Sequence, residues 1–531
     1  MNSMNKKRTV ILLACIVVLG ALFRIFFPAS IILTTDSTLY ISLAERITEG
    51  YLTMDHANAI TEIIQPGYSF FIMAVSFVLQ NGEMAGIFIS FMSGIGLILL
   101  SYWCGKKFFS DDVGLIAAAI VSCYPLMIYY STTILTEALF TLVFIAAIFL
   151  GWRAVKTRKW GYFLLLGIIV GISYYIRIVG LAAIPVLTLW LVIEIFVRKR
   201  IQALRALGYF GLFILGLTFI ISPYLIFLYN EKQSFVITGA QEYAYSMRTE
   251  HSPEDIKTPE DRQFIFYGLT EDNTSYASST DIGSAAKRDT SPIIVYWQNF
   301  SENFLYNISF ALLLFFPALA ATGYIAYRHK KKDDTIAFAP VWYLWSWVPF
   351  YSLIYWMGPT DLRYYVPILP VLFLIISYGI ILFINQAKEK YLKVVISSLV
   401  IVGIVLFGWR LSQEQGFFLN SFGFWEKSIE ERIGQEIEPY VYKDARILST
   451  YSIITYYVEG QHYQLPVDDY SSITTFAKHN AISYLLLYQP ENQFNRPELN
   501  VMYTIREDDN VNLLYSDGVV YLFEFKDEGP V

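Results

Sequence analysis

Four ionisable residues stand out: Glu137, Arg177 and Arg363 lie at the ends of apolar segments, and Asp36 lies in the first polar loop. Asp36 begins the polar stretch after the first apolar run, Glu137 follows YYSTTILT, Arg177 follows GISYYI, and Arg363 precedes YYVPILP. A charge at bilayer depth costs on the order of 2.5–3.5 kcal/mol on insertion scales, so Glu137, Arg177 and Arg363 are each expected to face a polar cavity or a partner. These residues are the first candidates for chemistry.

Their types suit a reaction at a phosphate-bearing group. Arg177 and Arg363 can hold a phosphate, because a guanidinium offers forked donors and keeps its charge. A carboxylate near them would act as general base, a role worth about 10²- to 10⁴-fold in rate. A phosphate leaves without protonation, so no general acid is required. This set of groups is what a lipid-phosphate-linked sugar donor needs.

Each candidate also has a purely structural interpretation, which the sequence leaves open. Glu137 and Arg177 can simply pair with each other. Arg363 can pair with Asp361 or extend its charge to the membrane interface. Asp36 can serve only as the N-cap of the helix that follows it, because a carboxylate there accepts orphan backbone N–H groups.

Composition indicates a multi-spanning membrane protein. Of 531 residues 55% are hydrophobic and 16% are charged, and the mean hydropathy is +0.45, whereas soluble domains have about 25% charged residues. Cys15, Cys104 and Cys123 lie in apolar runs. They form neither a disulfide framework nor a CxxC motif, and the five histidines show no ligand spacing. The sequence therefore predicts no metal motif.

The distribution of basic residues predicts the orientation. Lys6–Arg8 precede the first apolar run, so we predict an uncleaved first helix with a cytoplasmic N-terminus and an external loop over 30–65. The apolar stretch 68–80 is too short to span. If it is juxtamembrane or re-entrant, the basic connections all become cytoplasmic. About eleven spans follow, with about thirteen as the upper bound: the first helix, 84–104, 113–130, 133–151, 160–175, 178–197, 206–229, 304–327, 337–356, 364–384 and 391–410.

Two further segments complete the predicted organisation of domain 1–410. Ser37–Thr48 has Leu39, Leu43 and Ile47 on one helical face, which predicts a short amphipathic helix lying on the membrane. The connection 230–303 is long and polar, so it is either a substrate-covering external loop or a spacer.

The C-terminal segment differs in charge from the rest. Residues 425–531 carry 18 acidic and 8 basic residues, a net charge of −10, whereas the rest of the chain has +4. Strand-like runs at 446–450, 484–488 and 519–525 alternate with a helix-like run at 424–438. This pattern predicts a separate, external α/β domain over 425–531.

The motifs together resemble the GT-C membrane glycosyltransferases of the protein mannosyltransferase and aminoarabinose transferase type. The segments that carry the resemblance are DSTLY at 36–40, QPGY at 65–68, YPLMIYYSTTILTEALF at 124–140, GISYYIR at 171–177 and RYYVPILP at 363–370. The resemblance covers roughly residues 1–410. It implies a GT-C fold and transfer of a sugar, with inversion, from a polyprenyl-phosphate donor.

The resemblance also implies roles for individual residues. Asp36 matches the catalytic acid of the first external loop and Glu137 the acid of the second. Arg177 and Arg363, with the adjacent Tyr364, match positions that contact the carrier phosphate.

Tyr40 and Gln65 are further loop candidates. Gln65 stands where relatives commonly have His or Lys, and Gly67 replaces a second proline. Ser37 stands where many relatives have a second acid, which argues against a metal site, although a divalent cation stays open as a cofactor.

The expected partners are a polyprenyl-phosphate sugar, an acceptor that is a protein, a lipid or a glycan, and the bilayer of the plasma membrane, but no nucleic acid. Three alternatives remain at this level. A transporter fits the helix count but would favour charges near the midplane and repeated halves, whereas these charges lie at one face. An envelope polysaccharide polymerase or ligase uses the same donors, and a non-catalytic envelope sensor would use the external domain.

Overall fold

The computed structural model describes residues 3–29, 33–52, 65–233, 235–238, 315–328, 339–355, 362–385, 390–414, 429–450, 452–466, 469–488 and 510–526. Their contacts divide into two compact units. The first contains the described residues up to 29, those at 65–233 with residue 235, and those at 315–414. The second contains 33–52, 236–238 and the described residues from 429 onwards. Most of the predicted external loop 230–303 lies outside the described residues.

The chain is mainly helical. In chain order the α-helices are α1 (Ser3–Phe26), α2 (Thr35–Thr48), α3 (Gly67–Leu79), α4 (Gly82–Phe108), α5 (Asp111–Cys123), α6 (Pro125–Tyr130), α7 (Thr136–Thr157), α8 (Trp160–Ile176), α9 (Ala183–Val192), α10 (Ala203–Lys232), α11 (315–328), α12 (Ala339–Tyr355), α13 (Leu369–Ile384), α14 (Lys390–Glu414), α15 (Ile429–Ile437), α16 (Ser452–Tyr457) and α17 (Tyr470–His479). A 3₁₀ turn at Ile178–Ala182 and a π turn at Ile193–Val197 flank α9, and a 3₁₀ segment at Leu362–Ile368 leads into α13.

Within the described residues, six helical segments are long and apolar enough to cross a membrane: Lys7–Phe26, Gly82–Phe108, Thr136–Thr157, Ile178–Val197, Ala203–Asn230 and Arg363–Ile384. The predicted helical membrane architecture is confirmed. The predicted span at 304–327 begins outside the described residues, so the count of about eleven stays a prediction.

The predicted single helix over 113–130 is wrong, because the chain breaks before Pro125. Tyr124 adopts extended backbone (φ −73°, ψ 124°) between α5 and α6. Proline has no N–H to donate, and it disfavours helical geometry in the residue before it. The short helix α6 and the turn at residues 131–135 then lead the chain into α7.

Helix α3 lies against the beginning of α4. The hydroxyl of Tyr68, in its first turn, donates to the carbonyl of Gly86 at 3.1 Å and lies 2.9 Å from Ser90 Oγ. The C-cap Gln80 adopts left-handed backbone and only Asn81 separates it from α4. Both ends of α3 therefore lie beside the first turns of α4. Whether this 13-residue helix crosses the bilayer stays a prediction.

Small residues allow the close approach of α4 and α5. A Cβ on Gly105 would come within 2.6 Å of Gly114 Cα, and one on Gly114 within 2.3 Å of the Tyr102 carbonyl oxygen. Membrane helices gain little from hydrophobic burial between each other, so such backbone contact is a main source of packing energy.

The second unit contains a five-stranded sheet. Its strands are β1 (Arg446–Ser449), β2 (Gln461–Gln464), β3 (Tyr484–Tyr488), β4 (Val511–Ser516) and β5 (Val520–Phe525), in the order β2-β1-β3-β5-β4. The pairs β1–β2 and β1–β3 are parallel, and β5 pairs antiparallel with β3 and β4. Helices α16 and α17 form the two crossovers. The predicted α/β domain is thus confirmed.

Both faces of this sheet are buried. Leu448, Leu485 and Phe523 pack on one face with Ile473 and Phe476 of α17. The alternating residues Ile447, Leu486 and Leu522 pack on the other with Ile433 of α15. Strands β2 and β4 were not predicted. The sequence of β2, QHYQ, has too few apolar residues to reveal an edge strand that depends on pairing with β1.

Helix α2, from the loop that the sequence predicts to be external, packs in this second unit. Thr38 Oγ1 lies 2.9 Å from Ser452 Oγ at the beginning of α16. Partial desolvation, and then the nearby carboxylates of Glu459 and Glu49, raise the pKa of Glu45, which stays exposed at the surface. Leu43, on the face that the sequence assigned to the membrane, is only 2% exposed. Protein therefore covers part of that face.

Candidate functional site

Helices α7 and α8 form an antiparallel hairpin that brings two candidate residues to one end. Glu137 is in the first turn of α7, and Arg177 is the C-cap residue of α8, with extended backbone. The connection between the helices is Arg158 and Lys159. The two helices have 22 and 17 residues, so the chain returns to nearly the level of its start, at 1.5 Å per residue.

The Glu137 carboxylate is fully buried and binds Arg177. Arg177 Nη2 donates to Glu137 Oε1 at 2.7 Å, and Arg177 Nε donates to Thr136 Oγ1 at 2.9 Å. Glu137 is 0% exposed, whereas the Arg177 side chain is 12% exposed. Two adjacent residues of α7 thus fix the plane of one guanidinium. The pairing that the sequence left as an alternative is present.

Arg363 reaches the same carboxylate oxygen from a distant part of the chain. Its Nε lies 2.9 Å from Glu137 Oε1, and its side chain is 27% exposed. The 3₁₀ segment that carries it is held by Tyr351, whose hydroxyl donates to the Tyr364 carbonyl at 2.7 Å. The guanidinium also lies over the Tyr364 ring, 5.8 Å from its centroid.

Glu137, Arg177 and Arg363 form what we call the arginine cluster, which has one buried negative charge and two partly exposed positive charges. Its net charge is +1. Buried charges are stable only when they are paired, and Glu137 supplies the pairing while both guanidinium groups retain exposed surface. Such an arrangement suits a phosphate or another anion. The alternative partner of Arg363, Asp361, lies outside the described residues.

The segment that begins at Gln65 packs beside the end of α8. A Cβ on Gly67 would come within 2.5 Å of the Tyr175 backbone, so only glycine permits this approach. The amide nitrogen Nε2 of Gln65 is buried and has no hydrogen-bond partner within the described part of the chain. Gln65 therefore presents an unused donor close in sequence to this contact.

Asp36 and Tyr40 lie on α2, in the second unit. The N-cap of α2 is Thr34, whose hydroxyl accepts from the Ser37 N–H while Ser37 Oγ accepts from the Thr34 N–H. The hypothesis that Asp36 is the N-cap is therefore wrong. Asp36 is half-buried in the first helical turn, and Tyr40 is 9% exposed. The residues described contain no group of three or more His, Cys, Asp or Glu side chains that could hold a metal ion.

Sequence reasoning missed two polar residues near these elements. Thr136 orients Arg177, as described above. Arg24, near the end of α1, is 2% exposed, and its Nε donates to Ser131 Oγ at 2.7 Å. Its Nη1 donates to the carbonyls of Gly20 and Ser122. A charge within an apolar run was the available signal for Arg24. It ties α1 to the turn that precedes Glu137.

Comparisons with known proteins agree with this architecture. The sequence model of the family described as dolichyl-phosphate-mannose-protein mannosyltransferase matches residues 55–227, which include Glu137 and Arg177. A sequence comparison with curated proteins finds no significant match.

Three solved structures illustrate the structural likeness. The archaeal oligosaccharyltransferase AglB from Archaeoglobus fulgidus, in complex with an inhibitory peptide and a dolichol-phosphate, has a TM-score of 0.56 at 12% identity, over 100% of this chain and 76% of that one. ArnT from Cupriavidus metallidurans, bound to undecaprenyl phosphate, has a TM-score of 0.56 at 10% identity, and the match covers 98% of this chain and 99% of that one. The arabinofuranosyltransferase AftD from Mycobacteria has a TM-score of 0.50 at 11% identity, and the match covers 98% of this chain and 41% of that one. The chain therefore has the GT-C fold that these three solved structures share.

Proposed function

We propose that this protein transfers a sugar, with inversion at the anomeric carbon, from a polyprenyl-phosphate donor to an acceptor at the external face of the plasma membrane. The observation that carries the proposal is the arginine cluster. Two guanidinium groups from distant segments share one buried carboxylate oxygen. Both similar proteins AglB and ArnT were solved with a polyprenyl-type phosphate, which supports this donor class.

The proposed reaction is a single displacement. The acceptor hydroxyl oxygen forms a bond to the anomeric carbon while the bond from that carbon to the phosphate oxygen breaks. The acceptor proton passes to the Asp36 carboxylate, which we propose as the general base. The polyprenyl phosphate leaves with the electron pair, and Arg177 and Arg363 stabilise its added negative charge. One displacement without a covalent intermediate inverts the anomeric carbon, as in inverting glycosidases.

In this proposal Glu137 acts through the arginines. Its Oε1 is already occupied by Arg177 Nη2 and lies within ion-pair distance of Arg363 Nε. A buried carboxylate that contacts two guanidinium groups holds both of them in place, because a buried charge is stable only when it is paired. We therefore assign it the role of a positioning residue that fixes the spacing of the two guanidinium groups.

An apolar cavity gives the donor lipid a place in this proposal. It has a volume of about 230 Å³ and is lined by α13 and α14, including Leu369, Leu372 and Gly403. Leu369 directly follows the 3₁₀ segment that carries Arg363. A phosphate held by Arg363 would therefore place its polyprenyl chain against this apolar surface, which we propose as its binding site.

The decisive experiment is mass spectrometry of envelope glycans and polyprenyl-phosphate sugars in cells that lack this protein. Loss of one glycan together with accumulation of one lipid-linked sugar, both reversed by the wild-type gene, would identify the donor and the acceptor. Unchanged glycans and lipids would instead favour transport or sensing.

The purified protein then tests the phosphate site. With that donor, Arg363→Ala should raise the donor concentration needed for half-maximal rate by about tenfold or more, since a hydrogen bond to a charged group is lost. An unchanged titration curve would remove Arg363 from the phosphate site.

A further inference from the structure

A second charged cavity lies at the other end of α7. Its volume is about 550 Å³, and its lining includes Lys156 and Arg158 at the end of α7. Glu137 is in the first turn of the same helix, which has 22 residues. At 1.5 Å per residue the two ends are about 33 Å apart, close to the thickness of the hydrocarbon core. The cavity and the arginine cluster are therefore separate sites.

Four cations and one carboxylate line this cavity: Lys156, Arg158, Arg198, Arg200 and Glu194. The π turn after α9 carries Glu194, which is 1% exposed. Its Oε1 accepts from Arg198 Nη1 at 2.7 Å, and its Oε2 lies 3.7 Å from Arg158 Nη2. The carboxylate is thus neutralised by the two arginines beside it.

Lys156 and Arg200 carry positive charges that Glu194 does not neutralise. Both side chains are exposed, and neither forms an ion pair with an acidic residue in the part of the chain that the structure describes. The cavity therefore has a net charge of +3 at neutral pH. Arg158 is the C-cap residue of α7 and has left-handed backbone at φ 55°. Its side chain reaches Arg200, whose carbonyl accepts from Arg158 Nη1.

The walls add an unused donor and aromatic surface. Trp152 is 6% exposed, and its indole N–H has no acceptor among the residues that the structure describes. Phe109 and Tyr378 stack with their ring centroids 4.3 Å apart, and they line the cavity with Phe108. A cavity with excess cations, an unused N–H donor and apolar walls suits a ligand that has an anionic head and an apolar or neutral remainder.

We propose that this cavity binds a phosphate group, carried by the headgroup of an anionic membrane lipid or by a soluble phosphate compound. Arginine holds phosphate through forked donors, and basic pockets between membrane helices bind anionic headgroups. The ligand contacts Lys156 and Arg200 first, because these two cations are not engaged by Glu194. Trp152 donates its indole N–H to the same group or to its ester oxygen.

Charge-matched double variants of the full-length purified protein test the proposal. Lys156→Gln with Arg200→Gln removes two positive charges from the cavity and leaves the Glu194 ion pairs in place. Lys159→Gln with Arg205→Gln removes the same charge from exposed positions at the same end of the bundle, outside the cavity lining. Thermal melting should show that both double variants fold as the wild type does.

Two probes distinguish the sources of the phosphate. Lipid binding is measured by native mass spectrometry after reconstitution in phosphatidylcholine with and without phosphatidylglycerol. Soluble phosphate is measured by titration of inorganic phosphate against tryptophan fluorescence. We expect the cavity variant to bind the preferred probe about tenfold more weakly or worse, and the control variant to bind as the wild type does.

Each outcome decides the proposal. Selective loss of phosphatidylglycerol binding assigns the site to a lipid headgroup, and selective loss of inorganic phosphate binding assigns it to a soluble compound. Loss of both supports the phosphate site itself. Equal binding by all three proteins, equal loss in both double variants, or no binding of either probe by the wild type overturns the proposal.

Discussion

The Glu137→Gln substitution tests whether one buried carboxylate organises the two arginines that we propose to bind phosphate. Glutamine keeps the size and one carbonyl oxygen of the side chain but removes its charge. Arg177, at 2.7 Å, and Arg363, at 2.9 Å, would then face each other without the anion between them. We expect both a loss of stability and a loss of donor binding.

The stability effect follows from burial. Removing one partner of a buried ion pair costs about 3–5 kcal/mol. Arg177 and Arg363 keep 12% and 27% of their side-chain exposure, so water partly compensates them, and we expect a value near the lower end, about 3 kcal/mol. This is more than about a hundredfold in the unfolding equilibrium constant.

The kinetic effect distinguishes positioning from proton transfer. A displacement of about 1 Å in a binding group can lower the rate about 10²-fold, so kcat/KM for the donor should fall by about ten- to hundredfold. If Glu137 only positions the arginines, the acidic limb of the pH–rate profile stays where it is in the wild type.

The assay is sugar transfer by the purified full-length protein, with thermal melting in parallel. Asp111→Asn is a suitable control, because it breaks the Lys106–Asp111 ion pair near the far end of the bundle. This pair is partly exposed and should contribute less than about 1 kcal/mol. Unchanged stability and kinetics in Glu137→Gln would refute the positioning role. Disappearance of the acidic limb would show instead that Glu137 is the base, because glutamine does not titrate.

Three other substitutions test separate parts of the proposal. Asp36→Asn should lower transfer by about 10²- to 10⁴-fold while expression and membrane insertion stay intact, since it removes the proposed general base. Transfer at the wild-type rate would exclude that role. Gly403→Leu should fill the apolar cavity and weaken donor binding without loss of stability, because a Cβ there meets nothing within 4 Å. Gly211→Leu is the control, because a Cβ at that position also meets nothing within 4 Å. Equal donor affinity in both variants would show that the donor lipid does not bind in the cavity. Burial lowers the pKa of His462 to about 4, from its usual value near 6.5. The sheet should therefore keep full stability above pH 6.5 and lose up to about 3 kcal/mol as the pH falls to 4. Hydrogen exchange of β1 and β2 in the full-length protein should show this loss, and the same loss in His462→Gln would show that His462 does not cause it.

The membrane class and the candidate arginines could be inferred from sequence because the signals are local. A charge within an apolar segment is costly wherever the segment lies, so Glu137, Arg177 and Arg363 stand out before any fold is known. Strands β1, β3 and β5 are likewise apolar enough to predict. By contrast, β2 is an edge strand whose backbone pairs with β1, and its own residues carry little of that information.

Several local patterns led to partial errors. Pro125 breaks a helix that hydropathy alone makes continuous, although the restriction on the residue before proline was available as a signal. Thr34 takes the capping role that was offered to Asp36, because Ser37 completes a capping box with it. The apolar face of α2 indicated lipid, but hydrophobic periodicity does not distinguish lipid from protein as the covering surface.

The sequence alone determined the class of this protein, a polytopic membrane protein with an acidic α/β domain, and the identity of its unusual charges. It also carried the resemblance to the GT-C glycosyltransferases. Only the tertiary structure decided that Arg363 joins Arg177 on one oxygen of Glu137, that α2 packs beside α16, and that four cations surround a cavity at the far end of α7. The physical reason is that periodicity and charge act over a few residues, whereas these contacts join segments that only helix packing brings together.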